Sequence, residues 1–356
     1  FVLVGGDWQG GANEQRRVFD AADAVYEATK VTIAQGVLID ASATDHGDGG
    51  TVVLWSDITN ANSVTAAHGS IYAKGGAQSG NGGQIETSGA HLDTNGISVN
   101  AGTLSGNSGL WLIDPYDYII NSTAASNIVT ALNNNTSVTV TTSTNNTDYG
   151  SNGNSGSSGN ITVSSSITAA SGSGGLTLRA ANDIVLSGTI DIGGDIQIIA
   201  NREITSSDHI TIATRGGDIL FSADADASGG GPIGFYGNLT VRSNGGDITF
   251  AGGDISGSGY AVGYGTNKEE GIDFRGTTLI ESQGGDITFR GKSDTGAASG
   301  QGIMGVAFWD TTNKTVDSGV GKIYMEGISY GTDTTNDYPF GITLEGATVT
   351  LQSANT

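Results

Sequence analysis

The stretch Gly245-Gly246-Asp247-Ile248-Thr249-Phe250 returns as Gly284-Gly285-Asp286-Ile287-Thr288-Phe289, and its first four residues recur at Gly193–Ile196, Gly216–Ile219 and Gly252–Ile255. A relative with Trp in fourth place, Gly5-Gly6-Asp7-Trp8, stands near the start. The paired glycines supply the positive φ of a tight turn, and the alternation that follows buries every second side chain of a short strand. A larger unit surrounds them. Gly234-Phe235-Tyr236-Gly237, Gly271-Ile272-Asp273-Phe274, Gly305-Val306-Ala307-Phe308 and Gly341-Ile342-Thr343-Leu344 start about 34 to 37 residues apart, a period typical of stacked repeats. In the first two units a second strand follows, Leu239-Thr240-Val241 and Thr278-Leu279-Ile280, then the Gly-Gly-Asp turn with its strand, then a polar loop. The third carries Gly321-Lys322-Ile323-Tyr324-Met325 in the last strand's place, and the fourth reaches Val349-Thr350-Leu351.

Short strands closed by Gly/Asn turns are compatible with a sandwich, a propeller or a solenoid. A sandwich has no need of recurrence, and a propeller blade needs four strands in about 40 residues or more. Units of two or three strands with a variable loop fit rungs of a parallel β-helix. The predicted fold is therefore an all-β solenoid with projecting Gly/Ser/Asn-rich loops. Three regions follow: 1–120 as β-helix, 121–175 as a loop-rich insertion, and 176–356 as the repeat-built β-helix, with regular units from 234 onward. One short helix is expected at Ser126–Leu132, with Ser126 as N-cap and Ile128 and Leu132 four apart. Val18 to Lys30 has helix-like apolar spacing between strand-like flanks, and Asn145 to Asn160 reads as a mobile loop.

Composition narrows the function. The chain has 59 Gly, 3 Pro and no Cys in 356 residues, so collagen, disulfide scaffolds and thiolate metal sites are excluded. A formal charge of −22 makes nucleic acid an unfavourable partner, because it attracts basic patches. No run approaches the roughly 20 apolar residues of a membrane helix, so no membrane insertion is expected. The first residues, Phe1-Val2-Leu3-Val4, lie inside an apolar run, which reads as a segment of something longer.

An ordered series of motifs fills the first half: Gly5-Gly6-Asp7-Trp8-Gln9-Gly10, Val37–Ala43, Gly47–Asp57, Gly75–Gly83, Ile85-Glu86-Thr87-Ser88-Gly89 and Trp111-Leu112-Ile113-Asp114-Pro115. Ser137–Thr142 and Leu176–Ile184 continue it. The series resembles the filamentous-haemagglutinin-like large exoproteins, the adhesins exported by two-partner secretion, in detail over about residues 4–200 and at repeat level beyond. The family's export domain is not recognisable, so the resemblance places the segment in the shaft or distal part. It implies a right-handed β-helix, passage through an outer-membrane two-partner-secretion transporter, and a place at the cell surface of a Gram-negative bacterium or outside it. Glu14 to Lys30 is longer and more helix-like than the family pattern.

Candidate chemistry is sparse. Carboxylates gather at Asp224 and Asp226, expected on one face of a strand, at Glu269, Glu270 and Asp273, and at the turn residues Asp195, Asp218, Asp247 and Asp286. Paired acids on an acidic protein are ordinarily a solvated face. The turn aspartates lack the calcium nonapeptide, so side-chain capping of turn N–H groups is favoured over a surface Ca²⁺ ladder. His46, His68, His91 and His209 lack metal-ligand spacing. Trp111–Pro115 reads as a buried strand ended by a turn signal. No catalytic, cofactor or metal residues are assigned. The contact candidates are loop aromatics, Tyr260, Tyr264, Trp309 and Tyr338, able to stack on sugars or pack on a neighbour. The expected function is a non-catalytic structural and adhesive shaft that contacts a host or neighbouring-cell glycan or protein. A self-assembling filament of its own copies is the alternative, and a polysaccharide-acting β-helix enzyme ranks third.

Overall fold

The computed structural model describes residues 1–19, 25–142, 158–265, 268–294, 303–330 and 340–354. These residues form a parallel β-helix of short strands with one α-helix. They divide into two units. The first holds the described residues up to Arg179 except Thr162–Ser166, and the second holds Thr162–Ser166 and those from Ala180 on.

The second unit follows the repeat read from the sequence. Each rung carries three strands, one in each of three parallel sheets. The first sheet stacks Ile184–Leu186, Ile204–Ser206, Ile233–Phe235, Ile272–Phe274, Val306–Phe308 and Ile342–Leu344. The next stacks Ile190–Asp191, Ile210–Ala213, Leu239–Arg242, Thr278–Glu281, Lys314–Asp317 and Val349–Gln352. The longest strands, Ile196–Ala200, Ile219–Ala223, Ile248–Gly252, Ile287–Lys292 and Ile323–Ile328, close each rung. Ile196, Ile219, Ile248, Ile287 and Ile323 share one register, so the unit of 34 to 37 residues is one rung.

Alternation along each strand fills the interior. Phe221, Phe250 and Phe289 stack on one wall with centroids 4.6 and 5.2 Å apart. Phe235, Phe274 and Phe308 stack on another at 5.8 and 4.5 Å. The two columns meet edge to face at 5.2 to 6.2 Å, and all six rings are buried. Stacking parallel to the sheet spacing lets identical rings sit over one another, so a repeated Phe is both core and register mark.

The turns are tied between rungs. Asp195 Oδ1 accepts the N–H of Asp218 at 3.0 Å, Asp218 that of Asp247 at 2.8 Å, Asp247 that of Asp286 at 2.7 Å, and Asp286 that of Lys322 at 2.8 Å. The side-chain capping expected for these residues is present, but each carboxylate caps the next rung's turn rather than its own. Beside this outer ladder runs a buried hydroxyl column. Thr214 Oγ1, Ser243 Oγ, Ser282 Oγ and Ser318 Oγ each lie 2.5 to 2.8 Å from the carbonyl of Gly217, Gly246, Gly285 and Gly321 respectively.

Two motif copies prove different. Gly252 is the last residue of its strand, and the Asp254 carboxylate accepts from Ser256 and Ser258 N–H within its own loop. Gly5-Gly6-Asp7-Trp8 opens a strap rather than a rung turn. Asp7 accepts from the N–H groups of Trp8, Val18 and Phe19 at 2.7 to 2.9 Å.

In the first unit, Val2–Val4, Thr51–Trp55, Gln84–Ser88, Gly109–Asp114 and Thr136–Thr141 pair in that order in a parallel sheet. Two three-stranded sheets complete its early rungs: Lys30–Ile33, Val64–Ala67 and His91–Asp93, then Leu38–Asp40, Ser70–Tyr72 and Ser98–Asn100. Trp111 and Ile113 are fully buried, as a core strand requires, and Trp111 Nε1–H donates to Thr87 Oγ1 at 3.1 Å.

Both helix expectations change. The helix is longer than Ser126–Leu132, running Ser122–Asn133, because Asn121 caps it: its Oδ1 accepts from Thr123 and Ala124 N–H at 3.0 and 3.1 Å. Ser126 lies inside it. The Val18–Lys30 stretch is not helical where described: Asp7 holds Val18 and Phe19, Ala28 bridges Ser56, and Lys30 begins a strand. Most of the Asn145–Asn160 segment lies outside the described residues.

Candidate functional site

Insertions of the second unit leave the rungs at one corner, between a long strand and the next rung's first strand. The segments after Ala223, Gly252 and Lys292 all emerge there. Chemistry-bearing side chains collect along the first-sheet strands that follow, at the position just after each of them. Successive rungs place Tyr236, Arg275 and Trp309 there, following Phe235, Phe274 and Phe308. The Arg275 guanidinium lies 5.4 Å from the Tyr236 ring centroid and 4.8 Å from that of Trp309, a cation between two aromatic faces.

Asp273 anchors this stack. It occupies the outward position of its strand yet is only 3% exposed. Its Oδ1 accepts from Trp309 Nε1–H at 2.7 Å and its Oδ2 from Arg275 Nε–H at 2.9 Å. Burial pushes the Asp273 carboxyl up, against the pull of Arg275. Glu270, 4% exposed, is raised to about 7 by burial first and then by the Asp273 charge. Tyr236 is pushed up to about 12 by burial and by Asp273. Lys268 pairs with Glu203, and Arg202 grips Asp183 through Nε at 2.7 Å and through its terminal nitrogen. The lane thus joins aromatic faces, a guanidinium and a protonatable buried carboxyl. Such groups stack on the apolar face of a sugar ring and hydrogen-bond its hydroxyls.

The sequence candidates fare unequally. Trp309 is part of the lane, half-buried over Asp273. Tyr264 is exposed on the insertion, its ring lying over the Gly230 backbone. Tyr260 belongs to a separate cluster on the outer face of the long sheet. Its hydroxyl donates to Glu326 Oε1 at 2.5 Å, Tyr324 donates to Oε2 at 2.9 Å, and Lys292 Nζ sits 4.0 Å over the Tyr260 ring. Tyr338 lies outside the described residues. Glu270 and Asp273 come together as the sequence suggested. Asp224 and Asp226 do not share a strand face: Asp224 sits at φ 51 in a turn, accepting from Gly229 and Gly230 N–H. Tyr236, Arg275, Lys268 and Glu203 were missed. The signal for the first two was available, since both follow the repeat's Phe.

Among the described residues, no group of three or more His, Asp or Glu is placed to hold a metal ion. No helix among them is long and apolar enough to cross a membrane. The first unit has an open recess of about 440 Å³ beside Asn133, Asn134 and Asn135. Its amides are committed to structure: Asn133 Oδ1 accepts from Ser171 N–H, and Asn135 Oδ1 from Ser173 N–H. Compared with known proteins, the chain matches no family model and no curated protein.

Proposed function

We propose that this chain is a non-catalytic shaft segment of a large secreted bacterial surface adhesin of the filamentous-haemagglutinin-like kind. Its working surface is the lane Tyr236–Arg275–Trp309 with Tyr264, and its ligand a glycan or glycoprotein on a host or neighbouring cell. One observation carries the reading. Rung length varies from 20 to 39 residues while the interior ladders keep register. Most of the variation lies in insertions at one corner, and the aromatic and charged side chains stand along the first-sheet strands that follow it. That is the division of labour of a stiff scaffold with a variable contact edge. Export through an outer-membrane transporter and an extracellular location belong to the same proposal, resting on the motif series of the first half.

The test is binding of the purified chain to glycan arrays and to intact epithelial and bacterial cells. Saturable binding that falls at least tenfold in Tyr264→Ala and Trp309→Phe, with melting still cooperative, supports the proposal. Absence of cell or glycan binding sinks the adhesive reading. Release of new sugar ends from a bound polysaccharide, abolished in Glu270→Gln, replaces it with the enzymatic one.

A further inference from the structure

The segment Gly5–Phe19 crosses the outer face of the long sheet in the first unit and covers an apolar strip with one carboxyl in its middle. Register puts Leu3, Val53, Glu86 and Leu112 on neighbouring strands in a single outward row. An outward row on a β-helix wall is ordinarily solvated, but here Val53, Glu86 and Leu112 are 0, 0 and 5% exposed. Trp8 closes the strip, packing with Val53, Trp55, Ile58 and Leu112. Backbone approach is close: a Cβ on Gly6 would run into the Trp55 indole. Asp7 cinches the loop by accepting from Val18 and Phe19 N–H. At the centre of the strip the strap bonds to the sheet through Gln9 N–H to Glu86, 2.9 Å to Oε2 and 3.2 Å to Oε1. Gln9 is held at φ 49 to make it.

We propose that this strap is a proton-dependent clasp, closed over the sheet while Glu86 is protonated and released when Glu86 ionises, which uncovers the apolar strip. A carboxylate sealed among Val53, Leu112 and Trp8 has to be stabilised by its immediate donors or regain water by opening the cover. Those donors are few. Glu86 receives the Gln9 N–H and the Ser88 hydroxyl, the latter at 2.7 Å. The charged groups around it are Asp7 and Arg16 on the strap. Asp7 opposes ionisation, and Arg16 favours it from a position over the Trp8 ring, where it is also bound to Gln84. From the strands, Asp114 stands in register with Ser88, two residues along from Glu86. Glu27 and Asp57 lie at the strap's other edge, where Glu27 approaches Gly10. Burial places the Glu86 transition at about 8 and that of Glu27 at about 6, so the two are separable.

The experiment is backbone amide hydrogen exchange of the purified chain from pH 5 to 9, corrected for intrinsic rates, read at Gln9, Val18 and Phe19. Far-UV circular dichroism checks that the rungs persist. The clasp predicts that protection at these amides falls at least tenfold as pH rises through about 8. It stays high in Glu86→Gln, and in Glu27→Gln it still falls with the same midpoint. Protection that is flat in the wild type, or that falls equally in Glu86→Gln, overturns the proposal, as does a fall abolished only in Glu27→Gln. A carboxyl titration of Glu86 by carbon-13 NMR in the wild type gives an independent reading should Glu86→Gln not fold. An ordinary midpoint near 4 to 5 there also overturns it.

Discussion

Trp309 and Asp273, 36 residues apart in sequence, are joined by an indole N–H to carboxylate bond of 2.7 Å. The bond spans neighbouring rungs, since Asp273 pairs with Ala307 in register. It turns an outward acid into a buried anchor for the exposed edge.

Removing that donor is expected to weaken the edge without dissolving the core. Trp309→Phe keeps an aromatic face but leaves Asp273 Oδ1 short of a partner in a nearly dry site. The expected loss is about 1–3 kcal/mol, the usual cost of an unmet buried acceptor. Urea denaturation checks it.

The Phe columns should dominate stability. Phe250 touches rings above, below and across, so Phe250→Ala is expected to cost about 3–5 kcal/mol. Phe250→Leu should recover most of that loss. Cooperative thermal unfolding of the two variants measures the difference.

Lys314 holds an interior ladder place that Leu239 and Ile210 fill two and three rungs away, and it is 1% exposed. Its ammonium escapes the core by reaching the corner, donating to Gly276 O at 2.5 Å, Thr312 Oγ1 at 2.7 Å and Asp310 Oδ1 at 3.1 Å. Lys314→Met preserves the stem but strands these acceptors, for an expected loss of about 2–4 kcal/mol. Raised exchange at Gly276 and Thr312 amides would place the damage at the corner.

Glu270 makes the second unit's stability depend on pH. Its folded value of about 7 lies above the ordinary 4.5, so the folded state holds the proton more tightly than the unfolded chain does. The contribution is complete below about pH 4.5 and is lost as pH rises through about 7. Glu270→Gln should therefore leave the melting temperature at pH 5 nearly unchanged and raise it at pH 8. Calorimetry at the two pH values reads the sign directly.

The aspartate ladder should prefer amides to carboxylates at low salt. Each Oδ1 is needed as an acceptor, but the charges line up about one strand spacing, roughly 4.8 Å, apart. Converting Asp218 and Asp247 to Asn keeps the acceptor and removes like-charge repulsion, for a gain of a few tenths of a kcal/mol. The gain should vanish in 0.5 M NaCl.

The fold class was legible in the sequence because a solenoid repeats its own local solution. Paired glycines, an Asp and an alternating run specify the turn and the strand that begins at Ile196, Ile219, Ile248 and Ile287 in their rungs. The stacking of one rung on the next then follows from burial alone. Local chemistry also marked Trp111–Asp114 as core. It misled where a motif's letters matched but its surroundings differed. Gly252-Gly253-Asp254 falls at a strand end rather than before a strand, and Gly5-Gly6-Asp7 starts a strap. Only the tertiary structure decided which side chains meet. Tyr236, Arg275 and Trp309 belong to three rungs, and parallel register stacks them although insertions of unequal length separate them in sequence. The same register set Glu86 between Val53 and Leu112, and the strap then took it out of water. Sequence determined the unit that repeats. Register, a property of contacts between rungs, determined where polar groups are buried and thus where this protein's chemistry lies.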